Sequence, residues 1–245
     1  MDDAPNWYSS WTPGNSSCSA SPRSHGTHGL HVTDRQSLPG LPATRPLGAG
    51  PLLVVLTGPS GAGKDTLLAH LKSLGRPYHI SVNATTREPR HGEVHGVDYY
   101  FVSKEEFQRM LDEDELLEHA LVYGQDKGVP KTPIREALAG GRDVLLRTDV
   151  QGARTIKRLV PSAITIFVAP PSDDELRSRV RKRGGDSDEQ VRLRQETAVG
   201  EMAVAEDFDY TVINDDVARA ADEIDEIMSR ERERAGREEV RLSSN

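Results

Sequence analysis

The chain has 245 residues, with 31 Lys and Arg against 39 Asp and Glu, a net charge of −8, and one cysteine, Cys18. That balance argues against a general nucleic-acid-coating role, and a lone cysteine rules out a disulfide framework. No run approaches the ~18 apolar residues needed to cross a bilayer, and the opening Met1-Asp2-Asp3 does not read as a signal peptide. The expectation is a cytoplasmic protein with neither a membrane nor a nucleic-acid partner.

Residues 1–50 are rich in Ser, Pro, Gly, His and Thr, with apolar side chains too sparse to offset chain entropy. They are expected to form a disordered tail, in which Trp7, Tyr8 and Trp11 are the exception. A folded domain is expected over 51–232 and a charged tail over 233–245. Within the domain, apolar runs at 52–56, 144–146, 164–168 and 210–213 alternate with helical patterns at 65–74, 151–159, 172–182, 188–206 and 215–230. This alternation predicts an α/β fold, a parallel sheet with helices on both faces in three layers. The stretch 78–127 breaks the rhythm with Ser81-Val82-Asn83-Ala84-Thr85-Thr86, then Asp98-Tyr99-Tyr100-Phe101-Val102, then a charged helix over 103–113. It reads as a small, partly β insertion beside the main sheet.

Between the first apolar run and the first helix stands Gly58-Pro59-Ser60-Gly61-Ala62-Gly63-Lys64-Asp65-Thr66. A strand, a glycine turn and a helix start form a cradle for a polyphosphate. Backbone N–H groups converge on the phosphate oxygens, the helix dipole adds positive potential, and Lys64 can reach the β- and γ-phosphates. Asp65 occupies the position where this pattern calls for a hydroxyl, and Thr66 follows at once, the place at which some nucleotide kinases carry the metal-facing hydroxyl.

Two arginines, Arg87 and Arg90, flank Pro89 in the insertion and suit a second anion gripped by fork-shaped donors. Further on, Arg177, Arg179, Arg181, Lys182 and Arg183 precede Gly184-Gly185, and Arg192 and Arg194 follow. Such a charge run is usually a solvated helix face, but a basic helix, a glycine hinge and more arginines also describe a lid over 183–194 that closes on phosphates. Transfer between two nucleotides needs such cations to offset charge repulsion, and it needs no general base because a phosphate acceptor is already anionic.

The chain resembles the guanylate kinase family over roughly residues 52–230. The matching strings are 58–64; Ser81-Val82 and Thr85-Thr86-Arg87; Pro89-Arg90; Gly92-Glu93-Val94-His95-Gly96; Asp98-Tyr99; Leu117-Glu118-His119-Ala120; Asp149-Val150-Gln151-Gly152; Ala169-Pro170-Pro171-Ser172; and Asn214-Asp215-Asp216. The resemblance implies a core, a nucleoside-monophosphate-binding subdomain (78–127) and a lid, with ATP and Mg²⁺ phosphorylating GMP or dGMP to the diphosphate. It implies that Arg87, Arg90 and Tyr99 grip the acceptor phosphate, that Glu118 accepts from the guanine N1–H and amino group, and that Asp149 assists at the amino edge. It assigns Arg179, Arg183 and Arg194 to the ATP phosphates, Asn214 to the neighbourhood of the adenine, and Thr66, with Asp65 as a second candidate, to the metal.

Four departures fall on functional positions of the family pattern. Asn83 replaces a serine near guanine O6, though its amide still donates. Lys127 and Val129 replace a phosphate-touching tyrosine and a nearby hydroxyl, and Lys127 can hold a phosphate as a point charge. Arg147 replaces an acidic residue at the end of the strand before Asp149. Asp65 brings a carboxylate beside the triphosphate, repulsive at ~4–6 Å unless a cation intervenes. These last two suggest a pair that exchanged sign together, with Asp65 facing the metal and Arg147 bonded to Asp65. Two further readings stay open. A kinase with a changed acceptor is favoured by the loss of hydroxyls around Lys127, and a non-catalytic nucleotide-binding protein is favoured by Arg147.

Overall fold

The computed structural model describes residues 50–122, 124–182, 192, 196–198 and 200–242. The tail expected over 1–50, apart from Gly50, lies outside the described residues, as do Arg183, Arg194 and most of the expected lid.

The large sheet is wholly parallel. Its strands are β1 (Leu53–Thr57), β2 (His79–Ile80), β7 (Val144–Arg147), β8 (Ile164–Ala169) and β9 (Tyr210–Ile213), in the order β2-β7-β1-β8-β9. All five side chains of β1 are buried, which explains its unbroken apolar run: both faces are covered. The pleat separates them. Leu52, Val54 and Leu56 join a core with Leu67, Leu71, Ile224 and Ile227, while Leu53 and Val55 join a second core with Ile134, Leu146, Ala153 and Ile156. The first core is therefore roofed by α1 (Lys64–Ser73) and α6 (Val217–Glu233), the second by α3 (Lys131–Ala139) and α4 (Val150–Leu159). Each fully buried aliphatic side chain contributes roughly 1.5–3 kcal/mol. Among the described residues no helix is long and apolar enough to cross a membrane.

The stretch that breaks the αβ rhythm forms a second, four-stranded sheet of β3 (Asn83–Thr85), β4 (Tyr99–Phe101), β5 (Leu116–Val122) and β6 (Gln125–Pro130), ordered β4-β3-β6-β5. Its helix α2 (Lys104–Asp112) starts at Ser103, whose hydroxyl accepts from Glu106 N at 3.1 Å. The first residues of the stretch go elsewhere: His79 and Ile80 pair with Val144 and Leu145 at the edge of the large sheet. Two residues are too short to carry a strand periodicity, so this edge strand was hidden. The chain passes from β1 to one side of the sheet and later returns to its other side. The crevice at the carboxyl end of β1, where such sheets bind ligands, holds the phosphate loop.

Candidate active site

Gly58 turns the chain out of β1 with φ 133°, and a Cβ there would lie 2.2 Å from Val168 O on the neighbouring strand. No other residue fits so close to the sheet. The loop ends where Lys64 opens α1, so the positive end of the helix dipole meets the cavity that Gly63, Lys64, Asp65 and Thr66 line. The Lys64 ammonium donates to Gly58 O and, at 3.0 Å, to Pro59 O, so it lies folded along its own loop. Asn214, expected near the adenine, is buried, and its amide donates to Ala62 O at 2.8 Å, bracing the loop from the end of β9. Arg179 on α5 (Asp173–Lys182) reaches Asn214 O at 3.2 Å and Glu175 at 2.8 Å.

A cavity of about 510 Å³ adjoins this loop, within the range of small-molecule sites. Of the residues expected to bind nucleotides, Gly58, Pro59, Ser60, Gly61, Gly63, Lys64, Asp65, Thr66 and Arg179 line it on the phosphate side. Asn83, Tyr99, Glu118, Lys127 and Asp149 line it as well. Ala62 is buried behind the loop, and Arg87, Arg90 and Asn214 stand outside the lining. Arg87 is occupied: its guanidinium forms a two-pronged bond to Glu93 at 2.8 and 2.9 Å, and Glu93 also accepts from Arg90 N at 2.7 Å. Burial pushes the Glu93 carboxyl up, but these bonds outweigh it and hold the group below the usual carboxylate range. A carboxylate in the fork of Arg87 has the shape and charge of the phosphate expected there.

Glu118 is the buried acid of the cavity, 6 % exposed. Burial and then the neighbouring Asp149 carboxylate raise its pKa to about 7, while a hydrogen bond from the Thr148 hydroxyl, 3.2 Å away, opposes the rise. Asp149 caps α4, accepting from Gly152 N at 2.8 Å. A Cβ on Gly152 would lie 2.1 Å from Thr148 Oγ1 and 2.7 Å from the Glu118 carboxylate, so the glycine leaves room for both.

Asp65 and Arg147 meet, as their joint change of sign suggests: Arg147 Nη1 donates to Asp65 Oδ1. The metal half of that idea has less support. With one carboxylate oxygen on a guanidinium, a cation beside Asp65 would sit next to a positive charge. Thr66, exposed in the first turn of α1 and lining the cavity, fits Mg²⁺ better. Among the described residues no cluster of three or more His, Cys, Asp or Glu could hold a metal.

Sequence reasoning missed three participants. Glu201 lines the cavity, and its Oε2 accepts from Ser60 N in the phosphate loop at 3.3 Å. Burial raises its pKa, with Lys64 pulling the other way. It lies in a charged helical run where nothing marks it off from a solvated face. Glu93 and Gly152 were visible only as parts of matching strings, and their contacts depend on the fold.

The family model described as guanylate kinase matches residues 51–231. The guanylate kinase of Clostridioides difficile is 44 % identical over 186 residues, covering 76 % of this chain and 91 % of the relative. That of Desulfitobacterium hafniense is also 44 % identical, with 76 % and 93 % covered. The crystal structure of guanylate kinase from Anaplasma phagocytophilum superposes with a TM-score of 0.66 at 33 % identity, covering 77 % of this chain and 90 % of that one.

Proposed function

The chain belongs to the guanylate kinase family, and on that premise we propose that its cavity carries ATP-dependent phosphorylation of GMP or dGMP, with this chain's residues in the following roles. The observation that supports this most is that one cavity is lined both by the phosphate loop and by the buried carboxyl of Glu118. A donor polyphosphate and a guanine base can therefore be held in one enclosure.

The loop amides and the Lys64 ammonium bind the β- and γ-phosphates, which requires Lys64 to leave Gly58 O and Pro59 O for the nucleotide. Asn214, at the position that the family pattern puts near the adenine, also acts on the triphosphate through the loop by holding Ala62 O. Ionised Glu118 accepts from guanine N1–H and the 2-amino group, and Asp149 stands beside that edge. Adenine offers a lone acceptor at the same place, so the carboxylate selects guanine. Arg87 takes the acceptor phosphate by exchanging Glu93 for it, and Tyr99 and Lys127 face the same phosphate. Arg179, with Arg183 and Arg194 from the lid, offsets the charge spread over the moving phosphoryl group. Mg²⁺, held by the Thr66 hydroxyl and phosphate oxygens, supplies further charge neutralisation when bound. The acceptor phosphate is anionic, so no residue needs to remove a proton from it.

A coupled assay with ATP, Mg²⁺ and a panel of GMP, dGMP, IMP and AMP tests this. GMP turnover on the order of 1–100 s⁻¹ is expected, with AMP inert. A Lys64→Met variant should lose at least about a hundredfold in kcat. Turnover on another acceptor alone would replace GMP in this reading, and ATP binding without turnover on any acceptor would end it.

A further inference from the structure

We infer that Arg147 is a positioning residue that ties the phosphate loop to the acceptor-phosphate side of the cavity by holding Tyr99. The inference rests on the roles proposed above for Tyr99 and the phosphate loop.

The backbone of Arg147 is fixed. It is the last residue of β7, in register with Leu56 of β1, and the next amide, Thr148 N, donates to Leu56 O at 3.0 Å. Its carbonyl accepts from the Asn83 amide at 2.8 Å. From this anchored position the side chain, 14 % exposed, reaches two other elements. Nη1 bonds Asp65 on the first turn of α1, Nη2 donates to Asp98 O at 3.1 Å, and the guanidinium lies 4.4 Å from the centre of the Tyr99 ring.

Tyr99 needs such a brace. It opens β4, a three-residue strand at the outer edge of the small sheet that pairs with β3 on one side and, on the other, meets a single bridge from His95 among the described residues. The preceding loop is tied to the core by a second long cation, Lys72, whose ammonium donates to Val97 O at 2.9 Å. A planar guanidinium can stack on a ring and donate from two edges at once, which an ammonium cannot. A partly exposed ion pair such as Asp65–Arg147 adds little to global stability. What the pair can do is orient: Asp65 fixes one edge of the guanidinium, and the fixed plane sets the Tyr99 ring. A triphosphate that moves Asp65 therefore moves the platform on which the acceptor phosphate is received.

Steady-state kinetics and amide hydrogen exchange on the full chain, comparing wild type with Arg147→Met, Arg147→Lys, Asp65→Asn and the double variant Asp65→Asn/Arg147→Met, test this. Loss of the stack and of a charge-assisted hydrogen bond should raise the GMP KM of Arg147→Met roughly tenfold or more, with little change in the ATP KM. Arg147→Lys keeps a cation for Asp65 but should not restore the GMP KM. Asp65→Asn should shift it in the same direction by a smaller factor, and the double variant should be no worse than Arg147→Met alone. In ligand-free protein the amides of 97–101 should exchange faster in Arg147→Met while those of β8 stay unchanged. An unmoved GMP KM, an equal rise in both KM values, full rescue by lysine, or unaltered exchange at 97–101 would each overturn the inference. Wild-type protein that does not use GMP would instead overturn the proposed acceptor, and the exchange comparison, which needs no nucleotide, would still decide whether Arg147 braces Tyr99.

Discussion

Replacing Glu118 by glutamine should make the ligand-free protein more stable while it spoils GMP recognition. The carboxyl is buried and its pKa is raised from 4.5 to about 7, by burial first and by Asp149 second. Raising the folded-state pKa means that the folded protein keeps a proton the unfolded chain releases. The stability associated with that proton is fully present below about pH 4.5 and is lost as the pH climbs through 7. A shift of this size corresponds to up to about 3 kcal/mol of cost for the charged carboxylate at pH 8. Glutamine has nearly the same shape, carries no charge, and leaves an oxygen for the Thr148 hydroxyl. Urea denaturation of ligand-free wild type and Glu118→Gln at pH 8, 7, 6 and 5 should therefore give the variant an advantage of about 1–3 kcal/mol at pH 8 that shrinks towards zero near pH 5. At pH 8 the GMP KM of the variant should rise by at least roughly a hundredfold, because an amide meets two guanine donors with a single acceptor and a donor of its own. A variant no more stable than wild type at pH 8, or an advantage that does not fade with acidity, would refute the assignment of a costly buried charge to Glu118.

The same carboxyl makes GMP binding pH-dependent: affinity should weaken about tenfold from pH 8 to pH 6, with nearly one proton released on binding at pH 6. Calorimetry in buffers of different ionisation enthalpy checks this, and a pH-independent Kd would contradict it. Gly152→Ala drives a methyl group into Thr148 and Glu118, so it should cost about 1–3 kcal/mol in denaturation and raise the GMP KM while sparing ATP binding. Asn214→Ala removes the buried donor to Ala62 O, and should cost about 1–3 kcal/mol and raise the ATP KM more than the GMP KM.

Much of the core was legible because it obeys simple rules. β1, β7 and β8 are apolar runs because both faces of a parallel sheet are covered there, whereas the edge strand β9 buries only Val212, and the glycine turn after β1 cannot be spelled otherwise against Val168. Even the Asp65–Arg147 pair could be anticipated, since two opposite charges replaced two family residues beside one cradle. The β5–β6 hairpin was less readable. Leu116–Val122 begins with three buried residues and then alternates towards solvent, so no single period runs through it, and a bulge between Leu116 and Glu118 breaks the register. α3 begins directly at the end of β6 with no turn residue between them. The partners of the functional side chains were the hardest to see. Glu93 in the fork of Arg87, Glu201 on Ser60 N, and Arg147 against Tyr99 are all ordinary charged residues in the sequence. Long-range folding gives each its meaning, for example across the 141 positions between Ser60 and Glu201.

The central claim is that donor and acceptor occupy one cavity, with the base at Glu118 and the polyphosphate on the loop at Lys64. The most direct measurement is inhibition by a bisubstrate compound in which adenosine and guanosine are joined through a 5′,5′-pentaphosphate. One molecule should bind per chain, compete with both ATP and GMP, and lose affinity in both Lys64→Met and Glu118→Gln. Competition with only one nucleotide, or two molecules bound per chain, would show that the two subsites do not share an enclosure and would contradict the account.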